Sequence, residues 1–202
     1  DGDISYYGLG FLARRSYDNG FYYEGSLHYG KTESSYNSND LSGVSNEYYD
    51  MKTPYYGINF EIGKTKQLNA NAAFDIYGEY FYTRENGDSA VLSSGETYDF
   101  DSIASNRVRI GTRYTRQYGS EHELYAGAAY EYEFSGNASA SYDGYVIPNS
   151  SLKGGSGMFE LGYKIYTPTA NAKRPVSIDL SLIGWFGKKE GIMPKLTARW
   201  YI

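Results

Sequence analysis

The chain has 202 residues, 24 acidic against 19 basic side chains, a net charge of −5 and no cysteine. That length holds one barrel or sandwich. The missing cysteine excludes a disulfide scaffold or thiolate metal site, and the acidic balance gives no electrostatic footprint for nucleic acid. Mean hydropathy is negative, and no run of about 18 apolar residues offers a helical membrane span, but 25 tyrosines fit an interface where an apolar ring is buried and its hydroxyl stays wet.

A period of two runs through the chain from its start. Residues 4–16 place Tyr7, Leu9, Phe11 and Ala13 on one side, and a tight turn at 17–20 follows. Residues 21–32 point Phe21, Tyr23, Leu27 and Tyr29 one way and Tyr22, Glu24, Ser26 and His28 the other. The polar stretch to about Met51 reads as a long loop. Residues 54–63 set Tyr56, Ile58, Phe60 and Ile62 against Tyr55, Asn59 and Glu61, with a short turn expected at 64–68.

Residues 69–84 oppose Phe74, Ile76, Tyr80 and Tyr82 to Asp75, Tyr77 and Glu79, before a second long loop at 85–105. Residues 107–116 alternate Arg107, Arg109 and Arg113 with Val108, Ile110 and Tyr114, and a short turn spans 117–120. Residues 123–134 carry Leu124, Ala126, Ala128, Tyr130, Tyr132 and Phe134 opposite Glu123, Tyr125, Glu131 and Glu133. A third polar loop runs to about Lys153, and residues 157–167 put Leu161, Tyr163 and Ile165 opposite Glu160 and Lys164. The last pair sets Val176, Ile178, Leu180, Leu182 and Phe186 against Ser177, Asp179, Ser181 and Trp185. After a tight turn at 187–191, Leu196, Ala198, Trp200 and Ile202 oppose Lys195, Thr197, Arg199 and Tyr201.

These are about nine strands, each near the length that a tilted strand needs to cross a bilayer. Connections alternate short and long, the sidedness of an outer-membrane barrel with short periplasmic turns and long outer loops; the exception is the tight final turn at 187–191, which would lie on the outer side. The fold class expected is therefore all-β, an antiparallel up-and-down transmembrane barrel occupying residues 1–202 as one domain. The carboxylates and guanidinium groups of the second face are too many for a dry core; a hydrated lumen removes most of that cost. Asp75, Glu79, Arg107, Arg109, Arg113, Glu131 and Glu133 are expected to line it. Counting back from a periplasmic C-terminus, the first strand descends from the outer side. An odd count beginning there does not make a whole barrel of even number, so strands are expected before Asp1.

Several motifs resemble the C-terminal β-domain of autotransporters, the type V secretion proteins. In chain order they are Tyr80-Phe81-Tyr82-Thr83-Arg84, Ser94-Gly95-Glu96-Thr97-Tyr98-Asp99-Phe100-Asp101, and Ser105-Asn106-Arg107-Val108-Arg109-Ile110-Gly111. They continue with Tyr125-Ala126-Gly127-Ala128-Ala129-Tyr130-Glu131-Tyr132-Glu133-Phe134 and Ser151-Leu152-Lys153-Gly154-Gly155-Ser156-Gly157. The resemblance implies a twelve-stranded barrel of the bacterial outer membrane, threaded by a helix, that accompanies an N-terminal passenger to the cell surface. This chain has room for about the last nine strands, without helix or passenger, so no cleavage residue is carried over. Expected partners are outer-membrane lipid, the barrel-assembly machinery and the chain's own passenger, with no nucleic acid and no cofactor. Trp200, Tyr201 and Ile202 are expected to form the assembly signal, although the family usually ends in Phe or Trp.

Competing patterns are weaker. Residues 25–32 fit G-x-x-x-x-G-K-[ST], but a phosphate loop needs a helix after it, and a Ser/Asn-rich loop follows. Gly8-Leu9-Gly10 has no helix either. His28 beside carboxylates would suit an outer-membrane protease, and the pair Glu131 and Glu133 an acid–base reaction; a lumen hydrogen bond and a charge ladder are the plainer roles. No catalytic or metal residue is assigned, and a barrel enzyme or a passive porin or adhesin stands as the alternative.

Overall fold

The computed structural model describes residues 2–38, 47–147, 150–166 and 176–200. Nine strands form its main sheet: β1 (Gly2–Ser16), β2 (Phe21–Ser38), β3 (Glu47–Asn69), β4 (Ala72–Glu85), β5 (Ile103–Tyr118), β6 (His122–Glu133), β7 (Gly154–Tyr166), β8 (Val176–Gly187) and β9 (Gly191–Trp200). Each pairs antiparallel with the next in sequence, an up-and-down meander, and the sheet curls into a half-barrel. Among the described residues nothing pairs the outer edge of β1 or of β9.

The strands run further than the alternation alone predicts. β2 and β3 stay in register through Tyr36↔Tyr49 to Ser38↔Glu47, so most of the polar stretch before Met51 is a protruding hairpin; the rest of that expected loop, residues 39–46, lies outside the described residues. The cause is cross-strand pairing at polar positions: Tyr36 stacks on Tyr49 at 5.7 Å, and Lys52 bonds Glu33 at 2.8 Å. β3 spans 23 residues, roughly 75 Å of strand, far more than the ~10 residues a membrane crossing takes. The turn expected at 64–68 is displaced as well: β3 pairs with β4 as far as Asn69↔Ala72, and the chain reverses at 70–71, where the Asn69 side chain accepts the Asn71 amide at 2.9 Å.

The two long loops after β4 and β6 are not irregular either. Thr97–Phe100 lies between Asp88–Val91 and Ala140–Tyr142, and Tyr145–Val146 completes a four-stranded sheet built from both loops. Asp143 and Gly144, with φ of 48° and 78°, make the tight reversal between its last two strands. Tyr98 stacks on Tyr142 at 4.9 Å across the two loops, and Phe100 meets Tyr49 of β3 at 5.9 Å.

Polarity is inverted relative to a water-soluble fold. Ile110 is 64% exposed while Glu131, on the neighbouring strand, is 1% exposed. From β2 to β8 the apolar parity covers the convex side and the polar parity the concave side, where it closes over itself; β1 is exposed on both faces, Tyr6 and Leu12 included. Tyrosines on the even strands lie across glycines of the next: Tyr22 over Gly63, Tyr77 over Gly111 and Tyr125 over Gly162, each pair directly opposite in the register. A methyl group on Gly162 would enter the Tyr125 ring, whose hydroxyl donates to Asp179 at 2.7 Å. Gly162→Ala should therefore destabilise the folded sheet by about 1–3 kcal/mol, the usual cost of overpacking. Urea titration of the protein in lipid vesicles checks this, and an unchanged midpoint would mean that the ring-over-glycine packing is slack.

Candidate functional site

One rung of register-paired residues crosses the concave face. Arg14 stands opposite Glu24, Glu24 opposite Glu61, Glu61 opposite Glu79, Glu79 opposite Arg109, Arg109 opposite Glu131, and Glu131 opposite Ser156. Three directly opposed carboxylates repel one another, so the β2–β4 side of this face is anionic. Arg14 meets Glu24 at 3.4 Å, the Tyr22 hydroxyl lies 2.8 Å from both Glu61 and Asp75, and the Asn59 amide donates to Glu79 at 2.7 Å.

The hub of the rung is Glu131. Arg109 holds it through Nη2 at 2.7 Å and Nε at 3.1 Å, and reaches Glu79 through Nη1 at 3.0 Å. Arg107 approaches at 3.4 Å, and the Lys189 ammonium, from the turn between β8 and β9, completes the set. Glu133 is fixed from the other side by the Asn106 and Ser135 amides at 2.8 and 2.9 Å and by the Ser105 hydroxyl. Two rings face the cations: Phe81 lies 4.8 Å from the Arg107 guanidinium and 4.6 Å from that of Arg109, and Trp185 lies 4.8 Å from Lys189 and 5.4 Å from Arg109. Nearly buried ions persist because each carboxylate has two or more donors.

Towards the short-turn end lie two further networks. Arg113 stands opposite Asp75 yet bonds Glu160 of β7 at 2.7 and 3.0 Å. It does so by passing over Gly127, which is paired to both Arg113 and Glu160 and has no side chain to block the way. Such reach past an intervening strand is eased where the sheet curls towards this face. Lys164 meets Glu123 at 3.4 Å and Asp179 at 3.9 Å.

Five of the seven residues expected to line the interior therefore meet in one network: Glu79, Arg107, Arg109, Glu131 and Glu133. Asp75 and Arg113 belong to neighbouring ones. Trp200 is exposed on the convex face, opposite Val176; Tyr201 and Ile202 lie outside the described residues. The periodicity missed Lys189, because a turn residue has no strand parity, and gave Tyr22 and Tyr125 no role beyond facing inward. His28 sits over Gly57 with Tyr55 at 5.9 Å. The phosphate-loop match is an uninterrupted stretch of β2, paired on one side with β1 and on the other with β3. The arrangement offers a fixed, charged wall along the concave face.

Comparisons with known proteins bear on the family and the fold. The family described as Autotransporter beta-domain matches residues 1–170. The crystal structure of the β domain of the Bordetella autotransporter BrkA superposes with a TM-score of 0.62 at 16% identity, over 98% of this chain and 71% of that one. A NanC porin structure aligns at 13% identity with a TM-score of 0.38, over 98% of this chain and 94% of that one. No curated protein matches the sequence.

Glu131→Gln leaves three cations facing one another and should cost on the order of 3 kcal/mol. Lys52→Ala, in a pair that is 64% and 36% exposed, should cost less than about 1 kcal/mol. Urea unfolding in vesicles compares the two. Equal costs would mean that the concave network is no more than a set of solvated surface pairs.

Proposed function

The chain belongs to the autotransporter β-domain family, and we propose that this outer-membrane translocator domain exports a passenger attached on its N-terminal side. The observation that supports this most directly is the inverted sheet: an apolar convex band for lipid around a concave face of paired charges for water. Asp75, Glu79, Arg107, Arg109, Arg113, Glu131 and Glu133 line the polar path. Charged groups already held by partners do not seize a passing chain, so the wall guides without binding and no bond-making chemistry is required. The barrel-assembly machinery inserts the domain, reading Trp200, Tyr201 and Ile202 at the end of the last strand, with the C-terminus in the periplasm.

A lipid bilayer offers no partner for the free backbone groups along β1 and β9. In the membrane these edges are closed by further strands, of the same protein or of another chain.

Export is tested by placing an epitope N-terminal to Asp1 in the full-length protein and treating intact cells with protease. Loss of the epitope from whole cells supports export; an epitope that stays protected while the domain is assembled in the outer membrane contradicts it. Because the chain has no cysteine, orientation can be read separately. A cysteine at Gly95, in the connection after β4, should react with a membrane-impermeant maleimide on intact cells. One at Asn71, in the turn before β4, should react only after the outer membrane is permeabilised. The reverse pattern would invert the topology.

A further inference from the structure

The connection between β8 and β9 is short, and it is pinned inward. Gly187 and Gly191, with φ of 109° and 133°, bracket residues 188–190, conformations that side-chain-bearing residues adopt only with strain. The Lys188 amide donates to the Gly155 carbonyl at 3.1 Å, and the Lys189 amide to the buried Ser156 hydroxyl at 2.9 Å. From there the Lys189 side chain runs across β7 to Glu131 on β6, and its ammonium lies 4.8 Å from the Trp185 ring. Arg109, held by the same Glu131, faces that ring at 5.4 Å. A hairpin turn that only joined two strands would need none of these contacts with β6 and β7.

We propose that the β8–β9 turn is a latch over the end of the path that lies beside the long loops, and that Lys189 is its positioning residue. With Lys189 on Glu131, the turn and Trp185 are drawn over the concave face and narrow it at the Phe81–Arg109–Glu131 level. Without that contact, the hydrogen bonds of the Lys188 and Lys189 amides to the Gly155 carbonyl and the Ser156 hydroxyl remain, and they hold the turn to β7 alone. This rests on the concave face being the water-filled path proposed above.

Trp185 reports both claims. In the whole protein reconstituted in vesicles, its emission is the difference between the parent and Trp185→Phe. Brominated lipid should leave that emission unchanged; quenching by it would place Trp185 in lipid and overturn the hydrated path itself. Acrylamide should quench it weakly in the parent. Quenching as strong as for free tryptophan would overturn the latch while the path stands, whether or not any variant folds. Lys189→Met should raise the acrylamide quenching constant at least twofold, and Lys189→Arg should keep it near the parent's. An unchanged constant in an assembled Lys189→Met protein would also overturn the latch.

Discussion

Every backbone amide and carbonyl that enters a bilayer must find its partner within protein, because hydrocarbon supplies none. Much of this chain follows from that constraint. Nine strands pair only with their sequence neighbours, so each ladder is filled before the next begins. Where the ladders rise beyond the membrane the chain keeps pairing in water, as in the β2–β3 hairpin and the small loop sheet. Among the described residues the outer edges of β1 and β9 are the ones left without a neighbouring strand.

Period-two alternation then divides the residues between two solvents. On the convex side an isoleucine such as Ile110 can be largely exposed without penalty if its surroundings are lipid. On the concave side the problem is electrostatic, and the register settles it. Glu79, Arg109 and Glu131 are directly opposite one another on three successive strands, so a cation stands between two carboxylates. Where the register opposes carboxylates instead, at Glu24, Glu61 and Glu79, neutral donors from Tyr22 and Asn59 fill in. The glycines under Tyr22, Tyr77 and Tyr125 let that face close on itself, and Gly127 lets Arg113 select Glu160 rather than the opposed Asp75.

The strand number, the up-and-down order and the identity of the two faces were legible in the sequence, because lipid and water leave a two-residue signature that no local propensity overrides. Strand ends were less legible: polar residues such as Ser34, Asn37 and Glu47 lie in ladders outside the membrane, where alternation carries no hydrophobic contrast. The four-stranded loop sheet joins segments some forty residues apart. Its one local signal was Asp143-Gly144, a tight-turn dipeptide. In the charge network the sequence showed which side chains face inward but not their pairing. Arg113 reaches Glu160, two strands away, over the glycine that stands opposite it, and Lys189 arrives from a turn that has no parity to read.

A nitroxide scan along β5 from Arg107 to Arg116 tests most directly whether the two faces meet two solvents. The full-length protein in vesicles would be labelled at one introduced cysteine at a time, with oxygen as the lipid-soluble relaxant and a nickel chelate as the water-soluble one. Accessibility should alternate residue by residue, oxygen dominating at 108, 110 and 114 and the nickel chelate at 107, 109 and 113. Uniform accessibility to the nickel chelate along the strand would contradict a lipid-facing side and, with it, the membrane barrel.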